Sequence, residues 1–227
     1  MKPNSLIALL LLVPVPSLGV FAAMIWWPDA NAGRILFSLS KLWIFAFPVF
    51  WHLVVDRSRL SLSVPAKGGF GMGILTGFGI SGIILAAYFF LGPVLLDEAS
   101  MRKALTAVGL DNPILYIGGA LYWILINSVL EEYLWRWFVY SKCKVLVGST
   151  AGIFLSALFF TLHHYFALGV YLDPLATLLC CLGVFTGGVI WSWLYSRYES
   201  IWPAYLSHAI VDLAIFGIGG YILFGHH

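Results

Sequence analysis

Three segments in the second half of the chain carry ionisable side chains within stretches that are otherwise apolar. The first contains Glu131, Glu132 and Arg136, the second contains two adjacent histidines, and the third contains His208 and Asp212. A carboxylate that is shielded from bulk water can act as a general base, and a neighbouring imidazole can orient a water molecule. A second imidazole can stabilise the oxyanion of a tetrahedral intermediate. These residue types therefore permit hydrolysis by an activated water.

Helical spacing indicates which of these side chains can cooperate. Glu132 and Arg136 are four residues apart and share one helical face, so the guanidinium can neutralise that carboxylate. Glu131 is rotated by about 100° from Glu132 and can face a different environment. His208 and Asp212 also share a face and can point into one cavity. The spacing predicts a structural ion pair, a separate reactive carboxylate and a second polar face.

The adjacent histidines, His163 and His164, are also separated by about 100° on a helix. We therefore expect that they do not both face the same point. Phe159 precedes His163 by four residues, and Phe160 precedes His164 by the same spacing. Spacing alone leaves the choice between the two histidines open.

The composition indicates a protein that lies in a lipid bilayer. Hydrophobic residues make up 61% of the chain and charged residues only 10%, whereas about a quarter of the residues are charged in a soluble domain. A charge near the bilayer centre costs at least about 2.5–3.5 kcal/mol, so a span that retains one needs a partner, a water cavity or a task. We predict an all-α polytopic protein whose helices enclose a polar intramembrane cavity. Apolar runs of membrane-spanning length predict seven spans: Leu6–Trp27, Ile35–Val55, Phe70–Leu95, Ile114–Tyr140, Val147–Leu168, Pro174–Tyr195 and Ile201–Phe224.

No internal repeat or shift in composition divides the sequence, so we expect one integral-membrane domain over residues 1–227. The connection Asp97–Pro113 has apolar residues at helical spacing and predicts a short amphipathic helix. The three cysteines lack the spacing of a disulfide framework or a zinc knuckle. The chain also lacks the basic patch that nucleic-acid binding requires.

Loop charges predict an N-terminus on the cytoplasmic side, because cytoplasmic loops are enriched in Lys and Arg. The N-terminal apolar run is also compatible with a cleaved signal peptide, but its end at Trp26, Trp27 and Pro28 favours an interfacial anchor. The opposite side would carry Arg34, Arg102 and Lys103. The cytoplasmic side would carry Lys2, Arg57, Arg59, Lys67, Lys142, Lys144 and Arg197.

Some polar and aromatic residues within the spans have a simpler interpretation. Lys41 and His52 in the second span are expected to snorkel or to lie near an interface. Trp191, Trp193 and Tyr195 in the sixth span are expected to belong to an interfacial aromatic belt.

The polar segments fit three motifs in a fixed order. EEYLWR at 131–136 fits EExxxR, FTLHH at 160–164 fits FxxxH, and HAIVD at 208–212 fits HxxxN/D. In this order they resemble the intramembrane CAAX prenyl protease and bacteriocin-processing family (CPBP, or Abi), which includes the Ras-converting CAAX endopeptidase. The resemblance covers about residues 114–224. It implies a multi-pass endopeptidase of the plasma membrane that cleaves a membrane-associated peptide or protein. The small size of the chain indicates a bacterial source.

The resemblance also implies catalytic roles. Glu131 would activate the water together with His164, and His208 and Asp212 would form the oxyanion site. Asp212 stands where many members of the family have Asn. Because an ionised Asp would repel an oxyanion, Asp212 would have to be protonated or would have to act by orienting His208.

The supporting residues implied by the resemblance lie in the same motifs. Glu132 and Arg136 would form a structural pair that holds Glu131 in place. His164 aligns with Phe160, the second phenylalanine, and is therefore preferred as the catalytic histidine, which leaves His163 in a supporting position.

Three alternatives stay open. The resemblance favours a mechanism without a cofactor, but Glu131, His164 and His208 are all competent zinc ligands, so a zinc-dependent form of the same protease is one alternative. A proton-coupled transporter would also use intramembrane Glu, His and Asp side chains, although no paired half-motifs suggest inverted repeats. A non-catalytic immunity or assembly factor would keep the fold without the chemistry.

Overall fold

A computed structural model of the chain describes residues 2–28, 30–59 and 63–225. The chain is 86% helical, and the described residues contain no strand. Within these residues, seven helices are long and apolar enough to cross a membrane, and a short helix lies between the third and the fourth of them. The helices are α1 (Lys2–Trp26), α2 (Asn31–Val55), α3 (Phe70–Leu95), α4 (Glu98–Ala107), α5 (Pro113–Val147), α6 (Ser149–Leu168), α7 (Pro174–Tyr198) and α8 (Ile201–Phe224). The predicted all-α, seven-span architecture is confirmed.

The outer surface of the bundle is apolar and its interior contains the charges. Phe89, Phe90 and Val94 on α3 are among the most exposed side chains, at 74%, 73% and 84%. Glu132 and Arg136, in contrast, are fully buried. A bilayer solvates such an apolar exterior, and helices satisfy their backbone hydrogen bonds internally. The chain is therefore a multi-pass membrane protein.

Local sequence signals determine where several helices begin and end. Asn112 caps α5 by accepting hydrogen bonds from the N–H groups of Ile114 and Leu115, next to Pro113 at the first helical position. Gly148 has φ +85° and separates α5 from α6 with a single residue. Helix α5 therefore extends beyond the predicted end at Tyr140, because hydropathy marks the apolar core of a helix rather than its last turn.

Helix α4 confirms the amphipathic helix predicted between the third and fourth spans. Asp97 caps it, and accepts from the Ser100 backbone N–H at 3.0 Å and from the Ser100 hydroxyl at 2.7 Å. The backbone hydrogen bond lowers the pKa of the Asp97 carboxyl, because it stabilises the ionised form. The acid also lies at the positive end of the helix dipole.

Helix α1 is part of the packed core. Its Ala8, Leu9 and Leu12 side chains are buried in the same apolar cluster as Leu134 of α5. Trp43 of α2 donates its indole N–H to the Leu11 carbonyl at 3.1 Å. Helix α1 therefore shares one apolar core with α2 and α5.

Helix α3 supports α8 through small residues. A Cβ atom at Gly73 would lie 2.4 Å from the Pro203 carbonyl oxygen, so only glycine permits this approach of the two backbones. One and two turns further along, the Thr76 hydroxyl donates to the Ser207 hydroxyl at 3.0 Å, and Ser81 donates to the Ile210 carbonyl at 3.2 Å. Gly73 therefore lies in the packing surface between α3 and α8, and this surface helps to fix the helix that carries His208.

Helix α5 departs from regular α-helical geometry around the first motif. Wider π-helical turns occupy Tyr122–Asn127 and Tyr133–Tyr140, on either side of the short regular segment Ser128–Glu132. The Ser128 N–H, for example, bonds the carbonyl of Trp123, five residues earlier. Such turns are frequent at functional sites because they change which side chains face the interior.

Candidate active site

Glu131 lies in the regular segment of α5, one turn after Asn127. The Asn127 amide donates Nδ2–H to Glu131 Oε1 at 2.9 Å, and Asn127 itself is only 3% exposed. This bond fixes the rotamer of the carboxylate and leaves Oε2 directed toward α8. Glu131 is thus a buried carboxylate with one oxygen held and the other available.

Glu132 connects α5 to α8 instead of supporting Glu131 directly. Its Oε1 accepts from His208 Nδ1 at 2.9 Å, and Arg136 Nη1 lies 3.2 Å from the same oxygen. The predicted pairing of Glu132 with Arg136 is therefore present. The hydrogen bond to His208 was not expected from the sequence, because spacing within one helix carries no information on contacts with another helix.

Arg136 is held between two aromatic rings. Its guanidinium carbon lies 4.7 Å from the centre of the Phe160 ring and 5.1 Å from the centre of the Trp191 ring. Cation–π attraction is strongest where water is excluded, and it helps to keep the charge of Arg136 in an apolar interior. Phe160, the first residue of the second motif, thereby supports the ion pair of the first motif.

His208 is the junction of the polar groups. Because Nδ1 donates to Glu132, Nε2 is the nitrogen that faces the other two acids, at 3.7 Å from Glu131 Oε2 and 3.7 Å from Asp212 Oδ1. These separations are too long for direct hydrogen bonds. An oxygen atom of another molecule can, however, lie within about 2.8–3.0 Å of both Nε2 and Glu131 Oε2.

Trp191 holds the His208 ring in this orientation. The two rings are stacked, with centroids 3.9 Å apart and planes inclined by 15°, and Trp191 Nε1 donates to the Ser207 hydroxyl at 3.1 Å. The expectation that Trp191 belongs to an interfacial belt is wrong, because only 4% of this residue is exposed. The face of α7 that carries it points toward α8 and not toward the lipid headgroups.

Asp212 is hydrogen-bonded to Ser128, one turn before Glu132. Ser128 Oγ lies 2.7 Å from Asp212 Oδ2 and 2.9 Å from the Trp123 carbonyl oxygen. A hydroxyl has a single proton to donate, whereas both of these neighbours are acceptors when Asp212 is ionised. Both contacts become full hydrogen bonds when Asp212 carries a proton and donates it to Ser128.

The two histidines of α6 both approach Glu131. One ligand atom from each of Glu131, His163 and His164 lies within 4.8 Å of the others, and the two rings are 4.1 Å apart. The expectation that adjacent histidines face different points is therefore wrong. Their Cα–Cβ bonds diverge, but Glu131 lies between the two directions and the imidazoles are long enough to converge on it.

The hydrogen bonds of the two histidines differ. His164 Nδ1 donates to the Phe160 carbonyl at 2.9 Å, so in the neutral ring Nε2 has a free lone pair. The His163 ring is stacked on Trp135 at 5.4 Å, and its Nδ1 has no hydrogen-bond partner among the described residues. The tautomer of His164 is thus determined by the backbone, which is the arrangement of a base or ligand with a defined orientation.

Glu131, His163 and His164 also have the donor types of a zinc site. Tetrahedral bonds of about 2.0–2.1 Å would require their ligand atoms to be about 3.4 Å apart, and the structure places them no more than 4.8 Å apart. A water oxygen can lie about 2.8 Å from three atoms at the larger separation. The set that the described residues bring together differs from the set suggested by the sequence, since it contains His163 in place of His208.

A small cavity opens beside Glu131, between α1, α2 and α5. It offers about 40 Å³ to the centres of water molecules. One water needs about 10–15 Å³ on this measure, so the cavity can hold about three. Its polar lining consists of Ser40, Lys41, Glu131 and His163. The expectation that Lys41 snorkels or lies near an interface is therefore wrong. His52 does lie near the end of α2, where Nε2 donates to the Arg59 carbonyl at 2.9 Å.

The side chains singled out in the sequence come together from three helices. His208 makes contact with the motif on α5 and lies 3.7 Å from Asp212, and His164 approaches Glu131 from α6. Sequence reasoning missed four further residues. Asn127 and Ser128 precede the two glutamates by one helical turn and were detectable from that spacing, whereas Trp191 and Lys41 were noted in the sequence but were assigned to an interface.

Comparison with known proteins agrees with this geometry. Residues 113–214 match the family model of type II CAAX prenyl endopeptidase Rce1-like proteins. The matched segment contains all three motifs, so the family recognised from them is confirmed for this part of the chain. Searches of curated proteins and of solved structures found no match.

Proposed function

We propose, from the membership of residues 113–214 in the Rce1-like family of type II CAAX prenyl endopeptidases, that the protein hydrolyses a peptide bond within the membrane by a water that Glu131 activates. The observation that supports this most is the convergence of Glu131, His164 and His208 from three different helices. A single buried carboxylate can be structural. A carboxylate that faces two oriented imidazoles has the components of a hydrolytic site.

In the first step, Glu131 takes a proton from the water and the oxygen attacks the carbonyl carbon of the scissile bond. The lone pair on His164 Nε2 accepts the second hydrogen of the water and thereby orients it. The hydrogen bond from Asn127 to Oε1 leaves Oε2 as the basic atom. The water would occupy the space between Glu131 and the two histidines of α6.

The tetrahedral intermediate carries a negative oxygen, which His208 Nε2–H would stabilise. Since Nδ1–H is already donated to Glu132, donation from Nε2 requires the imidazolium form of His208. Glu132 makes that form favourable by compensating its positive charge. A protonated Asp212 that donates to Ser128 adds no negative charge next to the oxyanion. In this form Asp212 can take the place of the Asn that is common in the family.

In the last step, the protonated Glu131 returns its proton to the nitrogen of the leaving peptide. The carbon–nitrogen bond breaks, the new carboxyl group retains the oxygen of the water, and Glu131 is again ionised. The base of the first step is therefore the acid of the second step. Pre-organised charges in an interior that excludes bulk water make both steps easier.

A zinc-dependent form of the reaction is the second candidate, because Glu131, His163 and His164 are brought together in one cluster. These three residues would hold the ion. A bound zinc ion would supply Lewis-acid activation of a water. His208 and Asp212 would keep their places opposite the scissile carbonyl in either form.

The substrate class and the orientation belong to the same proposal. We infer a membrane-associated peptide or protein as the substrate, in a bacterial plasma membrane, with the N-terminus of the enzyme in the cytoplasm. The distribution of loop charges supports this orientation. Lys142, at the cytoplasmic end of α5, is paired with Asp56 at the end of α2, so these two ends lie on the same side.

Mass spectrometry of protein termini tests the function. Membranes from cells that produce the wild-type chain are compared with membranes from cells that produce Glu131→Gln at the same level. We expect new C-termini, and their matching N-terminal fragments, only with the wild type. Identical sets of termini would refute proteolysis, and would favour a transporter or a non-catalytic assembly factor.

A further inference from the structure

Lys41 is a cation deep within the membrane that the proposed mechanism does not use. It lies roughly 15 Å from the first residue of α2, at about 1.5 Å per residue, in a helix of 25 residues. The side chain is thus near the middle of the span and not at an interface. An ionisable residue at such a depth is expensive and usually has a function.

The surroundings of Lys41 leave its ammonium group available. Nζ lies 5.5 Å from the centres of the Phe37 and Trp123 rings. Within the described residues it makes no hydrogen bond and no ion pair. Glu131 lies on the wall of the same cavity, and its charge attracts Lys41 although the described residues show no ion pair between the two. The two rings attract a cation while leaving the three N–H groups without an acceptor.

The cavity shared with Glu131 has the dimensions of a small anionic group. A carboxylate has three heavy atoms, and it therefore occupies about the same volume as the three water molecules that the cavity can hold. Most of its wall is apolar, from Pro16, Val20 and Phe37 among others, and Lys41 is the cation on that wall. A carboxylate that enters can therefore pair with one ammonium in a region from which bulk water is largely excluded.

We infer that Lys41 binds the free α-carboxylate at the C-terminus of the peptide that is cleaved. This inference rests on the proposed function. A CaaX motif ends at the C-terminus of its protein, so the carboxylate is at most three residues, or about 10 Å, from a bond cleaved next to its cysteine. Lys41 and Glu131 line one small cavity, so a C-terminus held by Lys41 stays close to the reactive carboxylate. Lys41 lies outside the matched segment 113–214, so the family match assigns it no role.

This site would restrict cleavage to bonds close to a free C-terminus. A longer C-terminal extension moves the carboxylate away from Lys41 by about 3.3 Å per residue. An internal segment of a membrane protein has no carboxylate to offer at all. The enzyme would thus distinguish a chain end from the many extended segments that could otherwise reach Glu131.

The test compares two forms of one peptide. Full-length protein in liposomes is given a farnesylated CaaX peptide with a free C-terminal carboxylate and the same peptide with a C-terminal amide. We expect the wild type to cleave the acid about 10- to 100-fold more efficiently in kcat/KM, the range of one charge-assisted hydrogen bond. In Lys41→Met the acid-to-amide ratio should fall to about 1, and in Lys41→Arg it should stay well above 1.

Lys144→Met is the matched control, since it removes the same charge from an exposed position at the end of α5. It should leave the ratio unchanged. Should Lys41→Met fail to fold, the wild type with a peptide extended by two residues gives the same test, because its carboxylate lies about 7 Å further away. Its cleavage should be as slow as that of the amide.

Three results would overturn the inference. Equal cleavage of the acid and the amide by the wild type would show that the enzyme has no carboxylate site, and it would leave the proposed protease function intact. An equal loss for both peptides in Lys41→Met would assign Lys41 to the structure or to Glu131 instead. Cleavage of neither peptide by the wild type would refute cleavage of the CaaX type and this inference with it, whereas the comparison of protein termini tests proteolysis itself.

Discussion

The buried pair of Glu132 and Arg136 allows a quantitative test of what holds the site together. Both side chains are 1% exposed or less, and Oε1 lies 3.2 Å from Nη1. At an effective dielectric constant of about 20, the Coulomb attraction over this distance is about 5 kcal/mol. Removing one partner of such a pair usually costs about 3–5 kcal/mol, because the other charge stays buried without compensation.

Glu132→Gln is the informative change because Gln keeps an oxygen that can still accept from His208 Nδ1. We expect it to lower the free energy of unfolding by about 3–5 kcal/mol, reduced by the attraction of the Phe160 and Trp191 rings for Arg136. Arg136→Met should cost a similar amount. The double variant has no buried charge left from the pair, so it should be more stable than the sum of the two single changes by about 2 kcal/mol or more.

Unfolding by SDS in mixed micelles, followed by tryptophan fluorescence, measures all four proteins. The control is Lys67→Met, which removes one partner of the exposed pair with Glu199. That change should cost roughly 0–1 kcal/mol, the usual range of an exposed pair. If the two single changes within α5 cost as little as the control, or if their effects simply add, then the pair does not stabilise the buried site.

Three further predictions concern the catalytic groups. Asp212→Asn should keep kcat/KM within about tenfold, because the Asn amide N–H can donate to Ser128 without a charge, whereas Asp212→Ala should lose about 10²-fold or more; equal inactivity of the two would show that the acid itself is needed. His164→Ala should lower kcat by about 10²–10⁴-fold and His163→Ala by less than tenfold, and the opposite order would make His163 the partner of Glu131. Exhaustive dialysis against 1,10-phenanthroline should leave peptide cleavage by the wild type unchanged, while a loss that zinc restores would establish the metal-dependent form.

The spans and the polar segments were predictable because each depends on a large free energy of transfer between water and the bilayer. A helix needs about twenty apolar residues to cross the bilayer, and it satisfies its backbone hydrogen bonds internally. A charge such as Glu131 within such a helix is costly enough to indicate a function. The motif order then indicated that the three polar segments act together. These features require no knowledge of how the helices are rotated.

The rotation of the helices was not predictable from the sequence. In a soluble helix, alternation of apolar and polar residues shows which face is buried, but lipid is as apolar as the protein core. Helix α7 has no distinct polar face, so nothing in the sequence showed that Trp191 points inward. For Lys41, a snorkelling position fitted the sequence as well as an inward one did. The bond between Glu132 and His208 was missed for the same reason, since it depends on how α5 and α8 are rotated relative to each other.

The most direct test is a single-turnover experiment with purified protein in liposomes and a farnesylated CaaX peptide. Wild type and Glu131→Gln are compared at saturating enzyme, with peptide binding and thermal unfolding measured in parallel. We predict that Glu131→Gln binds the peptide and unfolds as the wild type does, yet cleaves about 10²–10⁴-fold more slowly. Cleavage by Glu131→Gln at the wild-type rate would contradict the assignment of Glu131 as the base that activates the water.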